Sequence, residues 1–241
     1  VIDTPNFPSF AHPEELELLS VSEWRLFRMK VHGIESDGTT TNITIKQPQF
    51  NQLISLSYAP FESDSVFWIE NAKELLDEPG EFYYDKREKM VYYYPFDEED
   101  MSSAEIFAPV TENPVIVSGT NDETVKNIVF DGIKFRYGAW NAANKQQCLD
   151  MQADVYDEVA TGKRERVPAQ IKINNAENIQ VKNCEISCMD SVGIGMESNV
   201  HNSEISGSII RDCSGSGISL GGVVSGEMPC TKLTISNNVV T

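Results

Sequence analysis

The sequence predicts an all-β chain: right-handed parallel β-helix (solenoid) coils over residues 116–241, preceded by an acidic β-rich module with one short helix over residues 1–115. Three observations point there. A nine-residue unit of apolar and turn-forming positions recurs at four places after residue 126. Composition shifts sharply near residue 115, where 22 acidic and 8 basic side chains with three glycines give way to 15 and 11 with twelve glycines. Before that point, two pairs of alternating or aromatic segments are each joined by a charged or glycine-bearing turn.

In the first module, Met29-Lys-Val-His-Gly-Ile34 alternates, Glu35-Ser-Asp-Gly38 turns, and Asn42-Ile-Thr-Ile-Lys46 alternates again, which is a hairpin pattern. A second hairpin is expected from Glu81-Phe-Tyr-Tyr84 and Met90-Val-Tyr-Tyr-Tyr94, joined by Asp85-Lys-Arg-Glu-Lys89 and closed by Pro95. Between them Glu70-Asn-Ala-Lys-Glu-Leu-Leu76 has helical spacing and stops before Pro79-Gly80. The tyrosine row suits either sugar stacking or cross-strand aromatic pairing, and pairing is the simpler reading.

The second module repeats itself. Asn127-Ile-Val-Phe-Asp-Gly-Ile-Lys-Phe135 aligns with residues 178–186, 202–210 and, more loosely, 232–240, at spacings of 51, 24 and about 30 residues. In each unit an apolar residue (Phe130, Val181, Ile205, Ile235) precedes two turn formers and a second apolar residue (Phe135, Ile186, Ile210, Val240). Units this short cannot bury a hydrophobic face alone but can when stacked. Gly193-Ile-Gly-Met196 and Gly217-Ile-Ser-Leu220 supply a third strand at the same 24-residue offset. The 51-residue interval implies one coil carrying a polar, aperiodic loop insertion at about 139–168, and solenoid insertions fall on one face. Both ends are expected to lie inside a longer protein, since Val1-Ile-Asp-Thr-Pro5 lacks a leader pattern and residues 237–241 stop as a strand is building.

A net charge of -18 repels phosphate backbones, so nucleic-acid partners are not expected, and no apolar run approaches the roughly 20 residues of a membrane span. The five cysteines, Cys148, Cys184, Cys188, Cys213 and Cys230, all fall in the second module. An odd number in apolar surroundings reads as buried thiols, with Cys184, Cys188 and Cys213 in particular expected inside. Neither a metal site nor a cofactor is expected, since the Cys184/Cys188 spacing finds no second ligand pair nearby.

Phe67-Trp-Ile-Glu-Asn-Ala-Lys-Glu-Leu-Leu-Asp-Glu-Pro-Gly-Glu-Phe-Tyr-Tyr-Asp85, then Met90-Val-Tyr-Tyr-Tyr-Pro95 and Asn127-Ile-Val-Phe-Asp-Gly132, resembles bacterial right-handed parallel β-helix glycoside hydrolases. The resemblance covers most of the chain. It implies earlier coils upstream, a β-rich module inserted into or beside them, and glycan cleavage by paired carboxylates in a secreted, periplasmic or cell-surface protein. It assigns no catalytic residue position by position, and the fold also hosts lyases and adhesive proteins.

The residues themselves must carry the chemistry. Glycoside hydrolysis needs a proton donor and an ionised carboxylate about 5–9.5 Å apart. Asp190 and Asp212 each follow a central strand and precede a glycine-bearing corner. Offset by two residues and one coil, they are expected roughly 6 to 9 Å apart. Both also suit ordinary Asx turns. If alternation persists, Arg211 points away from Asp212, leaving that carboxyl without a neutralising neighbour. For the oligo- or polysaccharide substrate, Trp140 and Tyr137 are candidate stacking rings, with Glu197, Glu227 and His201 as further binding residues. A loop-anchoring Trp140 and a merely solvated His201 are the plain alternatives. A polysaccharide lyase would need a basic residue, for which Arg211 is the compact hint. A non-catalytic glycan-binding solenoid would show aromatics without a carboxylate pair.

Overall fold

The computed structural model describes residues 7–55, 65–222 and 224–241; the opening Val1 to Pro5 lies outside them. The chain is mostly β and divides into two compact units. Unit 1 comprises Val1–Ile106, Ala143–Asp150 and Glu158–Gly162, and unit 2 comprises Phe107–Ala142, Met151–Asp157 and Lys163–Thr241.

Unit 1 is built on antiparallel strands. β1 (Glu17–Ser22) lies between β2 (Arg25–Ser36) and β4 (Val66–Glu70), and β2 pairs on with β3 (Thr41–Ile45). Alternation drives Leu16, Leu18, Phe27, Met29, Val31 and Ile45 into one core, which helix α1 (Gln49–Ser55) joins through Leu53. The β2–β3 hairpin expected from the sequence is present, and Asp37 shapes its turn by accepting the Thr39 and Thr40 N–H groups at 2.9 and 2.7 Å.

The aromatic hairpin is present too, as β5 (Phe82–Asp85) against β6 (Met90–Tyr93). Tyr83 and Tyr92 stack across it with ring centres 6.5 Å apart, so part of the tyrosine row makes cross-strand pairs. Asp85 accepts the Arg87 and Glu88 N–H groups in its turn, and the Arg87 guanidinium holds its carboxyl down at about 2. The helix expected over 70–76 does not form. β4 runs to Glu70, Asn71 takes a left-handed φ of 69°, and a single 3-10 turn over Lys73–Leu75 follows. The left-handed Asn71 falls inside the expected span and interrupts it, and its amide donates to the Glu15 carbonyl at 2.7 Å.

Unit 2 is organised by parallel pairing. β7 (Val115–Ser118), β8 (Val125–Asp131) and β9 (Lys134–Gly138) come first. The 139–168 stretch read as a loop is divided between the two units and holds helix α2 (Ala142–Gln146) and strands β10 (Cys148–Gln152), β11 (Val155–Glu158) and β12 (Lys163–Arg166). Its strands arise from pairing that polar, aperiodic sequence does not announce: Met151 faces Tyr156 and Gln152 faces Val155 in an antiparallel turn. Then follow β13 (Ala169–Lys182), β14 (Glu185–Met189), β15 (Val192–His201), β16 (Glu204–Ser206), β17 (Ile209–Cys213), β18 (Ile218–Leu220), β19 (Thr234–Ser236) and β20 (Val239–Val240).

Three parallel ladders result, and their registers reproduce the sequence repeat. Phe130, Val181, Ile205 and Ile235 form one row, with Val181 and Ile205 fully buried and Ile235 exposed at its end. Phe135, Ile186, Ile210 and Val240 form a second. Val115, Ile171, Ile194 and Ile218 form the third. Residues of all three rows pack into one core. Left-handed residues turn the backbone at matching places, with Asn127, Asn178, Asn202 and Lys232 before one ladder and Gly132, Asn183, Gly207 and Asn237 after it.

Of the thiols expected inside, Cys184 is buried and Cys213 half-buried, but Cys188 is exposed. Its φ of 54° breaks the strand alternation and turns the side chain outward. Ile186, fully buried between Phe135 and Ile210, tests the shared core. Ile186→Ala should cost about 2–5 kcal/mol in chemical denaturation, as a cavity in close-packed surroundings does.

Candidate functional site

The strand pairs β9, β14 and β17 each contain a residue with left-handed backbone: Tyr137 (φ 68°), Cys188 (54°) and Asp212 (53°). Register places these three in one column, because Ser187 pairs with Arg136 and Arg211 while Met189 pairs with Gly138 and Cys213. Tyr and Cys have no intrinsic taste for this conformation, which costs on the order of 1–2 kcal/mol. The bend therefore belongs to the repeat and not to the side chain that occupies it. Asp212 and Cys188 are exposed and Tyr137 half-buried, its ring stacked on Phe107 with centres 4.6 Å apart and planes 11° apart.

The bend also corrects the expectation about Arg211. Alternation does not persist through a left-handed residue, and the Arg211 guanidinium pairs directly with Asp212. Arg211 further reaches Glu185 at 2.9 Å, which Arg136 also holds at 2.6 Å and Lys134 approaches at 3.6 Å. The Arg136 hydrogen bond, followed by that of Arg211, holds the Glu185 carboxyl down at about 2 against the opposing effect of burial. Asp212 is therefore a carboxyl with a cationic neighbour.

Asp190 is exposed at the start of the next corner, where its Oδ2 accepts the Trp140 N–H at 3.2 Å. Fully buried Gln170 fixes that corner: its Nε2 donates to the carbonyls of Asp190 (2.8 Å) and Ala139 (3.1 Å) and to Ser191 Oγ (2.8 Å), and its Oε1 accepts the Asn113 N–H at 3.2 Å. The Trp140 ring meets Tyr156 edge-on at 5.5 Å and packs on Val167, Ala169 and Val192, so it anchors the segment and is only part-exposed. Asp190 and Asp212 lie one 24-residue repeat apart with a two-residue offset, since Met189 pairs with Cys213.

A third carboxyl that sequence reading missed adjoins the same corner. Asp154, in the turn between β10 and β11, accepts the Ser216 hydroxyl at 2.6 Å. Its placement depends on the turn docking back on residues 214–217, and no periodic signal marks it. The glycines of that corner serve the stack more than a ligand: a Cβ at Gly193 would lie 2.8 Å from the Gly217 carbonyl oxygen and 3.0 Å from Cys213 Sγ.

Glu197 and Glu227 do not join this corner. Glu227 accepts two hydrogen bonds from Arg166, at 3.0 and 2.7 Å, while Arg166 also donates to Ser219 Oγ at 3.0 Å. Glu197 is 2% exposed and pairs with Lys172 at 3.3 Å, its Oε1 having no hydrogen-bond partner among the described residues. His201 ends β15, with its ring nitrogens 2.9 Å from Asn199 Oδ1 and 2.8 Å from Thr231 Oγ1. Among the described residues no group of three His, Cys, Asp or Glu side chains is placed to hold a metal ion.

The charge network makes a pH test. A carboxyl lowered in the folded state stabilises fully above its unfolded value of about 4.5, and that contribution fades as pH falls toward about 2. The melting-temperature gap between the native chain and Glu185→Gln should be constant above pH 5 and close between pH 4.5 and 2.

Residues 2–96 match the family described as GH141 insertion domain. A solved structure named "Glycoside hydrolase" is similar to 89% of this chain at 25% sequence identity with a TM-score of 0.78. This chain spans 40% of that protein's length. No curated protein gives a significant match. Both matches are to proteins described in glycoside hydrolase terms, the first over residues 2–96 and the second over most of the chain.

Proposed function

We propose that the chain is a stretch of a right-handed parallel β-helix glycoside hydrolase that hydrolyses a glycan at the corner carrying Asp190 and Asp212. The feature that carries this reading is the pair itself: two exposed carboxylates one repeat apart, Asp212 on the column that also bears Tyr137 and Asp190 two residues past Cys188 of that column, where hydrolysis needs two carboxyls about 5–9.5 Å apart. Three parallel ladders closing on one core support the β-helix part. The glycoside hydrolase likeness supports a carbohydrate substrate; that the enzyme meets it outside the cytoplasm, as a secreted, periplasmic or cell-surface protein, is part of the same proposal.

Asp212, beside the Arg211 guanidinium, is one carboxyl of the catalytic pair. Asp190, whose Oδ2 accepts the Trp140 backbone N–H, is the second carboxyl of the pair. Gln170 is a positioning residue, because it holds the Asp190 carbonyl and the Ala139 carbonyl together and thereby sets where that carboxyl points. A lyase reading would use Arg211 as base, and its engagement by both Glu185 and Asp212 weighs against it.

In the intact protein, Asp190→Asn and Asp212→Asn should each lower turnover about 10²–10⁴-fold with the melting temperature within a few degrees of the parent. Reducing-end release measures hydrolysis, whereas a lyase would leave an unsaturated, ultraviolet-absorbing end. Full activity in both variants would remove the pair from the mechanism.

A further inference from the structure

Unit 1 contains a cleft of about 450 Å³ that the corner of unit 2 does not use. That volume falls within the roughly 300–1,000 Å³ range of small-ligand sites. Its polar wall is Glu17, Arg28 and Glu70. Arg28 donates to Glu17 and, at 3.0 Å, to Glu70, while Lys30 also donates to Glu17. Burial pushes the Glu17 carboxyl up, but Lys30 and Arg28 outweigh it and hold Glu17 below its ordinary value. The Trp68 indole N–H donates to the other Glu70 oxygen at 2.7 Å. These planar groups are thus held in fixed orientation before any ligand arrives.

The apolar wall is Ile69, Ala72, Leu75 and Leu76, and the hairpin supplies Phe82 and Tyr84. β5 alternates strictly: Tyr83 and Asp85 are buried, while Phe82 is 72% and Tyr84 42% exposed. An aromatic pair left in water on one side of a hairpin whose other side is packed contributes nothing to folding that smaller residues would not. Rings beside oriented carboxylates and a guanidinium offer what a pyranose needs, a flat apolar surface for its C–H face and acceptors for its hydroxyls.

We propose that this cleft is a second glycan site, a binding site for a neutral oligosaccharide separate from the hydrolytic corner. The lining has three glutamates against one arginine, and the first 115 residues carry a net -14, so a polyuronate is repelled. Neutral sugars, whose hydroxyls donate to carboxylate oxygens, suit that charge. The proposal takes only the class of ligand from the glycoside hydrolase reading and does not depend on Asp190 or Asp212.

The test is calorimetric titration of the chain with neutral xylo-, manno- and cello-oligosaccharides and with oligogalacturonides, Trp68 emission being followed in parallel. A neutral oligosaccharide should bind, and Phe82→Ala and Tyr84→Ala should each weaken it about tenfold or more. Phe82→Trp should retain binding, and Trp24→Ala, an exposed aromatic outside the cleft, should change nothing. Phe82→Ala should keep its melting temperature, because an exposed side chain is removed. The proposal is overturned by no binding across the neutral set, by preference for oligogalacturonides, or by binding that survives Phe82→Ala and is lost in Tyr137→Ala. An inactive intact enzyme with Phe82-dependent binding would defeat the hydrolytic reading alone.

Discussion

Parallel strands cannot be joined by a two-residue turn, so the backbone of unit 2 must bend at corners whose positions repeat as regularly as the apolar rows they connect. That constraint governs the unit. Asparagine, glycine and lysine accept the left-handed bends beside the Phe130–Val181–Ile205–Ile235 row, and the rows then meet in one core. The same constraint imposes a left-handed bend on Tyr137, Cys188 and Asp212, and so determines which side chains leave the sheet there. The exposed thiol, the Arg211–Asp212 pair and the placement of a catalytic candidate all descend from that bend.

Two kinds of polar arrangement are built on this frame. Around Glu185 the charges are at the surface and serve one another, three cations converging on one carboxylate. Around Arg166 and Glu227 the pairing is nearly dry, with the guanidinium 7% exposed and satisfied by a bidentate partner and a hydroxyl. A buried pair of this kind is costly to break because the surviving charge loses its partner and cannot reach water. It ties β12 to the loop bearing Glu227, so these groups hold structure.

The apolar rows of unit 2 were legible in the sequence because their period is carried by volume and polarity: Phe130, Val181 and Ile205 announce a common environment. The two hairpins of unit 1 were legible for a related reason, since alternation and turn chemistry are local. The candidate site was legible only in part. Asp190 and Asp212 could be found from their corners, but the direction of Arg211 could not, because a left-handed residue at Asp212 reverses the alternation that the forecast assumed. Asp154 was hidden for a different reason: its contact with Ser216 spans 62 residues and depends on a turn whose own sequence is featureless. Residues 70–76 have helical spacing, but Asn71 ends the strand with a left-handed turn that a single 3-10 turn follows.

The Tyr137–Cys188–Asp212 column bears on how such proteins diversify. One backbone conformation, dictated by the repeat, carries a phenol, a thiol and a carboxylate at three successive levels. Since the bend is independent of its occupant, a mutation there exchanges the reactive group without asking the scaffold to move. A lineage of such proteins can therefore sample new substrates and new chemistries by point mutation along a single line of display positions, at little risk to the folding of the descendants.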